Sequence, residues 1–364
     1  TTAGGFAPAA ASSELDGFFI QGQFNTRNFL GRGNSVGVSL QLGRRADLYT
    51  LSYTEPYFLD RRILLGASIY KSQVDVQQIG FSSYRRETSG FTLSTGLGVS
   101  PFASVSAVLS FQDDYSKYLI TRSGGIGDPT SGHERPIDIP PVDGVTFDRA
   151  FEVFTGKIHA ITPGYNRDTR DDPFDPNRGE AFYGRLRFAG WLLGGDFEYV
   201  RPEVGYTLFL PFTKKTIWAF HGEAGQFLTA SGSDIPVYER YRLGGDRSLR
   251  GLPYYSVLPR TEAGLYFVTP GGSREGGDRY WQLNLEYQFR VGGPVKLVLF
   301  FDAGNTYHEL QGWDLNLWRR TTGAEMRIFL PIFQAPIRFI YGYNLDPFPD
   351  EQDSDFQFSI GTTF

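Results

Sequence analysis

The sequence predicts an all-β protein, a closed antiparallel transmembrane β-barrel of about sixteen strands. Three observations predict it. Candidate strands alternate apolar and polar residues with a period of two; the polar face is rich in Gly, Ser, Gln and Asn; and tight connections alternate with long ones. Residues 281–290 read Trp-Gln-Leu-Asn-Leu-Glu-Tyr-Gln-Phe-Arg, apolar at every odd position and polar at every even one. Successive strand side chains point to opposite faces, so the segment has one oily and one wet side. A soluble sandwich alternates too, but its outer face meets bulk water and usually carries Lys, Glu and Thr. Apolar faces of roughly 9–11 residues match a tilted bilayer crossing. In lipid only helices and closed barrels satisfy every backbone group.

Composition agrees. The 364 residues include 32 Phe, 21 Tyr and 44 Gly, with no Cys and a formal charge of −5. The longest apolar runs, such as Val298–Phe301, fall far short of the ~18 residues a membrane helix needs. Charge is spread rather than blocked, which argues against a nucleic-acid partner. Lack of Cys fits an envelope protein. The chain opens on Thr1 and reads as a mature protein or an excised piece.

In chain order the strands are expected near 1–8, 16–25, 34–43, 47–55, 62–73, 86–99, 103–118, 150–164, 180–192, 197–210, 215–228, 280–290, 295–306, 321–330, 336–345 and 355–364. The first is Ala/Gly-rich, with Gly4 and Gly5, and reads equally as a tail or a frayed strand. Val36, Val38, Leu40 and Leu42 pattern the third strand, and Val105, Ala107, Leu109 and Phe111 the seventh. Phe356, Phe358, Ile360 and Phe364 alternate with Gln357, Ser359, Gly361 and Thr363 in the last. Pro-centred turns at 100–102, 210–212 and 330–332, with Gly292-Gly293-Pro294, form the short set; 119–149 and 229–279 form the long set. An even strand number with short periplasmic turns and long outer loops is the bacterial barrel pattern. Parity then places 229–279 outside, as the sixth outer loop, and residues 1–364 form one domain.

Three motifs carry no chemistry. Gly33-Asn34-Ser35-Val36-Gly37 matches a nucleophile elbow, which needs a strand-turn-helix, whereas Ser35 opens a strand. Asp168, Arg170, Asp171 and Asp172, up to Gly179, resemble an acidic metal loop. Interleaved arginines argue instead for a salt-bridged turn at the periplasmic rim, with no metal. The glycines at 244–251 precede no helix and so form no phosphate cradle. His159 and His221 are candidate lumen residues without an acid or serine partner set.

Read together, "NFLGRGNSVGVSLQLG" (28–43), "SYTEPYFLD" (52–60), "NRDTRDDPFDPNRG" (166–179), "GGDRSLRGLPYYSV" (244–257), "FFDAGNTY" (300–307) and "FQFSIGTTF" (356–364) resemble the barrel of BamA-type outer-membrane assembly proteins. The family's sixth-loop kernel is Val/Ile-Arg-Gly-aromatic; here it is Leu249-Arg250-Gly251-Leu252, with the aromatic displaced to Tyr254 or Tyr255. The family places POTRA domains before the barrel, so this chain is expected to be the barrel alone. The resemblance implies that the sixth loop folds back into the lumen and that its arginine meets inner-wall acids. Glu286 lies on a polar face and Asp302 is in phase with Lys296, so both carboxylates are expected to point inward. A guanidinium fork suits such a pair. The alternative for Arg250 is a solvated loop arginine, and Arg247 divides evenly between the two fates.

The resemblance further implies an insertase of the bacterial outer membrane, not an enzyme and without cofactor. Its partners would be the bilayer, unfolded outer-membrane protein clients and accessory assembly lipoproteins. The seam between the first and last strands, with Gly4, Gly5, Phe356, Phe358, Gly361 and Phe364, would open to a client strand, since an unpaired edge templates pairing. The terminal phenylalanines match a C-terminal recognition signal, or else are ordinary lipid-facing aromatics. Alternatives are a polypeptide-secretion pore of the same superfamily, of the two-partner type, a passive porin, or an outer-membrane enzyme. A porin is expected to constrict at its third loop, whereas residues 73–85 are short and the sixth loop is long.

Overall fold

The computed structural model describes residues 2–6, 18–29, 31, 33–43, 46–76, 84–119, 151–229, 234–262, 264–267, 274–329 and 336–361. They form one antiparallel sheet of β1 (Thr2–Phe6), β2 (Phe18–Phe29), β3 (Asn34–Gly43), β4 (Ala46–Glu55), β5 (Ile63–Val76), β6 (Tyr84–Ser100), β7 (Ala103–Leu119), β8 (Phe151–Asp168), β9 (Gly179–Ala189), β10 (Tyr199–Pro211), β11 (Thr216–Gln226), the two-residue β12 (Leu228–Thr229), β13 (Arg279–Gly292), β14 (Val295–Tyr307), β15 (Arg319–Ile328), β16 (Ile337–Asn344) and β17 (Ser354–Ile360). Leaving β12 aside, sixteen strands each pair with the next, and β11 pairs with β13 across the long insertion. Among the described residues β1 is paired to β2 alone and β17 to β16 alone.

Burial runs opposite to that of a water-soluble fold. On β13 the polar residues Gln282, Asn284, Glu286 and Gln288 are buried, while Leu283 and Phe289 are about half exposed. On β14 Lys296 and Asp302 are buried, while Leu299 is 61% exposed. The sheet thus turns its apolar face outward, as a bilayer solvent requires. The largest described apolar clusters lie on the other side, where loop residues pack against strands. Ile235 and Phe227 join Tyr199, Ile158, Ala160 and Ala189, and Leu243, Leu249, Leu252 and Val257 join Tyr280.

Strand positions agree with the pattern to within a few residues at most ends. The second strand runs on to Phe29, beyond the expected residue 25, because Thr26 and Arg27 still pair with Val36 and Ser35 although the alternation has faded. The last strand ends at Ile360 rather than 364, and Phe364 lies outside the described residues, as do residues 120–150 and 330–335. Ser35 sits inside β3, which removes the strand-turn-helix context of an elbow.

Candidate functional site

The residues 243–257 close on themselves before they touch the sheet. Leu243 and Val257 pair, the Gly245 N–H donates to the Leu252 carbonyl at 2.9 Å, and Ser248 Oγ accepts from the Gly244 N–H at 2.8 Å. Gly244 and Gly245 adopt φ of +104° and +96°, a region that side chains disfavour. This compact kernel presents Arg250 to the polar face of β13–β15.

Arg250 is fully buried. Its Nε and Nη2 fork onto Asp302 at 2.8 and 2.7 Å, and Nη1 donates to Glu286 at 2.6 Å and to Glu325 at 2.8 Å. Its main-chain N–H also donates to Asp302, at 3.1 Å, and its guanidinium lies 4.0 Å over the Phe300 ring. The sheet register explains the seat. Glu286, Phe300, Gly323 and Gly342 are consecutive cross-strand partners on β13 to β16. The two glycines leave a hollow beside the Phe300 ring. A Cβ on Gly342 would stand 2.3 Å from the Gly251 Cα, and one on Gly251, at φ +84°, 2.7 Å from the Gly342 backbone. Loop and wall therefore meet backbone to backbone.

The pairing extends further than Glu286 and Asp302. Arg327 bonds Glu286 and Glu325 at 2.6 Å each, and Arg338 bonds Glu325 at 2.6 Å and Asp246 at 3.0 Å. Three guanidiniums, Arg250, Arg327 and Arg338, thus face four carboxylates, Asp246, Glu286, Asp302 and Glu325, all buried. Arg327 and Arg338 are direct cross-strand partners, a repulsive juxtaposition that Glu325 resolves by binding both. Glu325, Arg327 and Arg338 were legible by the same alternation: Ala324, Met326 and Ile328 oppose Glu325 and Arg327, and Ile337 and Phe339 flank Arg338. Nothing in the sequence signals that Asp246 joins them.

Arg247, for which the sequence left both fates open, takes the solvated one. It is exposed, bonds none of these carboxylates, and brings its Nη2 to 3.4 Å from the position of a Cβ on Gly361. The reason is local: Asp246 and Leu249 point into the wall, which turns the side chain between them outward.

The other segment singled out, 166–179, forms the turn between β8 and β9. Arg170 forks onto Asp168 at 3.0 and 2.8 Å, as the salt-bridged reading requires. Asp171 departs from it by accepting main-chain N–H groups of Asn177 and Arg178 at 2.9 and 3.3 Å. Gly179, at φ +107°, has no room for a Cβ against the Thr169 carbonyl. The tip reaches the β13–β14 end of the sheet, where Arg290 donates to Asp175 at 2.6 Å and Lys296 also pairs with Asp175. That reach carries no sequence signal. No cluster able to hold a metal ion occurs among the described residues. His221 contacts Thr207 at 2.9 Å, and His159 the Leu193 carbonyl, also at 2.9 Å.

Of the seam residues, Gly4 and Gly5 stand opposite Ile20 and Phe19 of β2. Phe356 is 62% exposed, and Phe358 packs on Phe339 at 5.3 Å between ring centres. Gly361 adopts φ +147°.

The sequence matches the Omp85 superfamily domain over residues 28–364. Outer membrane protein assembly factor BamA of Nitratidesulfovibrio vulgaris is 27% identical over 361 residues, covering 95% of this chain and 40% of that protein. BamA of Neisseria meningitidis serogroup B is 24% identical, covering 93% of this chain and 44% of that protein. The chain thus spans less than half the length of these relatives. BamA from Haemophilus ducreyi lacking POTRA domains 1–3 has the same fold, with a TM-score of 0.76 at 20% identity, over 98% of this chain and 68% of that one.

Proposed function

Because the chain belongs to the Omp85 superfamily, we propose that it is an insertase, assisting the folding and membrane insertion of β-barrel proteins. It is a protein of the bacterial outer membrane. In this reading the sheet closes into a barrel, residues 229–279 enter the lumen from the outer side, and the 166–179 turn lies at the periplasmic rim. The work is done without covalent chemistry or cofactor, on unfolded outer-membrane protein clients and beside accessory lipoproteins.

The observation that carries the reading is the inequality of the two seam strands. β1 has five residues and β17 seven, against ten or more in most other wall strands, and each has one partner among the described residues. Among the described residues no ladder pairing joins β1 to β17, so in this reading the seam opens at lower cost than any paired neighbours. An opened edge offers free N–H and C=O groups to an incoming strand. Arg250 and its carboxylates hold the loop inside while this happens.

Depletion of the full-length protein from cells is expected to lower the levels of unrelated outer-membrane barrels. Normal levels after depletion would refute the insertase reading. Loss of one dedicated secreted polypeptide with barrels unaffected would select the secretion pore instead.

A further inference from the structure

The charge cluster has two ends, and only one concerns Arg250. The other reaches the last strand. Asp246, 2% exposed, accepts from Arg338 Nη1 at 3.0 Å and from the Ser359 hydroxyl through the same Oδ2, and its carbonyl accepts from Arg338 Nη2 at 3.0 Å. Two residues earlier on the same face of β17, the Gln357 side-chain amide donates to the Leu252 carbonyl at 2.7 Å. The loop kernel therefore grips β17 at Gln357 and Ser359, while the main chain of β17 is bonded on one edge only among the described residues.

We infer that Asp246 is a positioning residue for the terminal strand, fastening Ser354–Ile360 to the docked loop and so setting how readily that strand leaves its place. The inference rests on the insertase reading only for its use in the cell. Physically it follows from what each removal leaves behind. Taking away Arg250 removes the guanidinium on Asp302 and one partner each from Glu286 and Glu325, which keep Arg327 and, for Glu325, Arg338. Taking away the Asp246 carboxylate leaves Arg338 still bonded twice to Glu325, at 2.6 and 3.2 Å, and Arg250 fully paired. What is lost is the Ser359 tie to β17, with the Arg338 Nη1 and Tyr254 bonds to the same carboxylate. The seat of Arg250 on β13–β15 and the Gln357–Leu252 bond remain, so the docking of Arg250 and the Ser359 tie separate. The Tyr254 hydroxyl, which also donates to Asp246, fixes the carboxylate from the loop side.

The test is amide hydrogen exchange on the full-length protein in lipid nanodiscs. Asp246→Ala is expected to speed exchange across 354–360 by roughly tenfold, the scale of one lost hydrogen-bonded contact between partly charged groups. Residues 283–288 and 300–304, which seat Arg250, keep their rates. Ser359→Ala removes the same tie from the strand side and leaves the loop sequence intact, so it is expected to act on the same amides. The double variant should add little to either single change. Unchanged exchange at 354–360 in both single variants would overturn the inference, as would uniform loosening of all strands. Because no client is involved, this outcome is independent of the depletion result.

Discussion

The Arg250 guanidinium gives four hydrogen bonds to three carboxylates from a fully buried position, so its value lies in what its absence would leave. Truncating one member of a buried ionic group costs about 3–5 kcal/mol, because the remaining charges stay in a poorly solvating site. Arg250→Ala is therefore expected to lower the denaturant midpoint by an amount corresponding to that range, read from the mobility shift of unheated against heated protein in gels. Arg250→Lys should recover less than half, since an ammonium cannot fork onto Asp302. An unchanged midpoint in Arg250→Ala would mean that the cluster contributes no net stability. The inward orientation of Glu286 and Asp302 was readable from alternation, since each lies in phase with buried polar neighbours. The resemblance singled out Arg250, whereas Arg247 divided evenly between wall and solvent, and only the folded turn shows its side chain exposed.

The long insertion is held as an element at several points. Ile235 and Phe227 pack on β8–β10, the kernel seats on β13–β17, and Arg260 bonds Asp350 at 2.8 Å and Glu351 at 3.1 Å. A fourth point lies where the insertion rejoins the sheet. Leu310 N–H donates to His308 Nδ1, which leaves Nε2 to carry the proton facing Glu275 at 3.5 Å, with the Arg240 guanidinium at 3.7 Å. The bond from His308, helped by the Arg240 charge against the opposing effect of burial, holds the Glu275 carboxyl below its ordinary value. A carboxyl depressed in the folded state stabilises above its unfolded pKa, about 4.3, and that contribution fades as pH falls through the lower folded value. Wild type is accordingly expected to exceed Glu275→Gln in stability at pH 7, with the gap closing below about pH 4.3 as the carboxyl is protonated. A gap that persisted undiminished at pH 3 would exclude the pairing. Length and turn residues marked this insertion as a loop; its contacts are long-range and left no periodic trace.

At the scale of the whole molecule the sheet is inside out, polar on its buried face and apolar on its exposed one, and, β12 aside, its two end strands β1 and β17 are its shortest. If client strands enter between them, fastening the ends must stop assembly. The chain contains no Cys, so a pair introduced between Thr2–Phe6 and Ser354–Ile360 would be the sole thiols of this chain. Oxidation of that pair in cells is expected to block barrel assembly, and a reductant to restore it. Intact assembly in the oxidised protein would refute opening of the seam. The 166–179 turn belongs to the same scale. Asp175 joins the β8–β9 connection to Arg290 and Lys296, so the far end of the sheet is also bridged by a connection.

Sequence alone determined the all-β class, the count of about sixteen strands, the facing of residues on the clearly alternating strands and the position of the long loop. These follow from local rules, because alternation with period two is written along each strand and is independent of what the strand meets. Tertiary structure decided that Asp246 joins the cluster and Arg247 does not, that glycines at 251 and 342 meet face to face, and that Ser359 is fastened by a loop residue 113 positions away. Such contacts depend on how a non-repetitive segment closes on itself and on which strands the register brings beside it, and no short-range pattern encodes either.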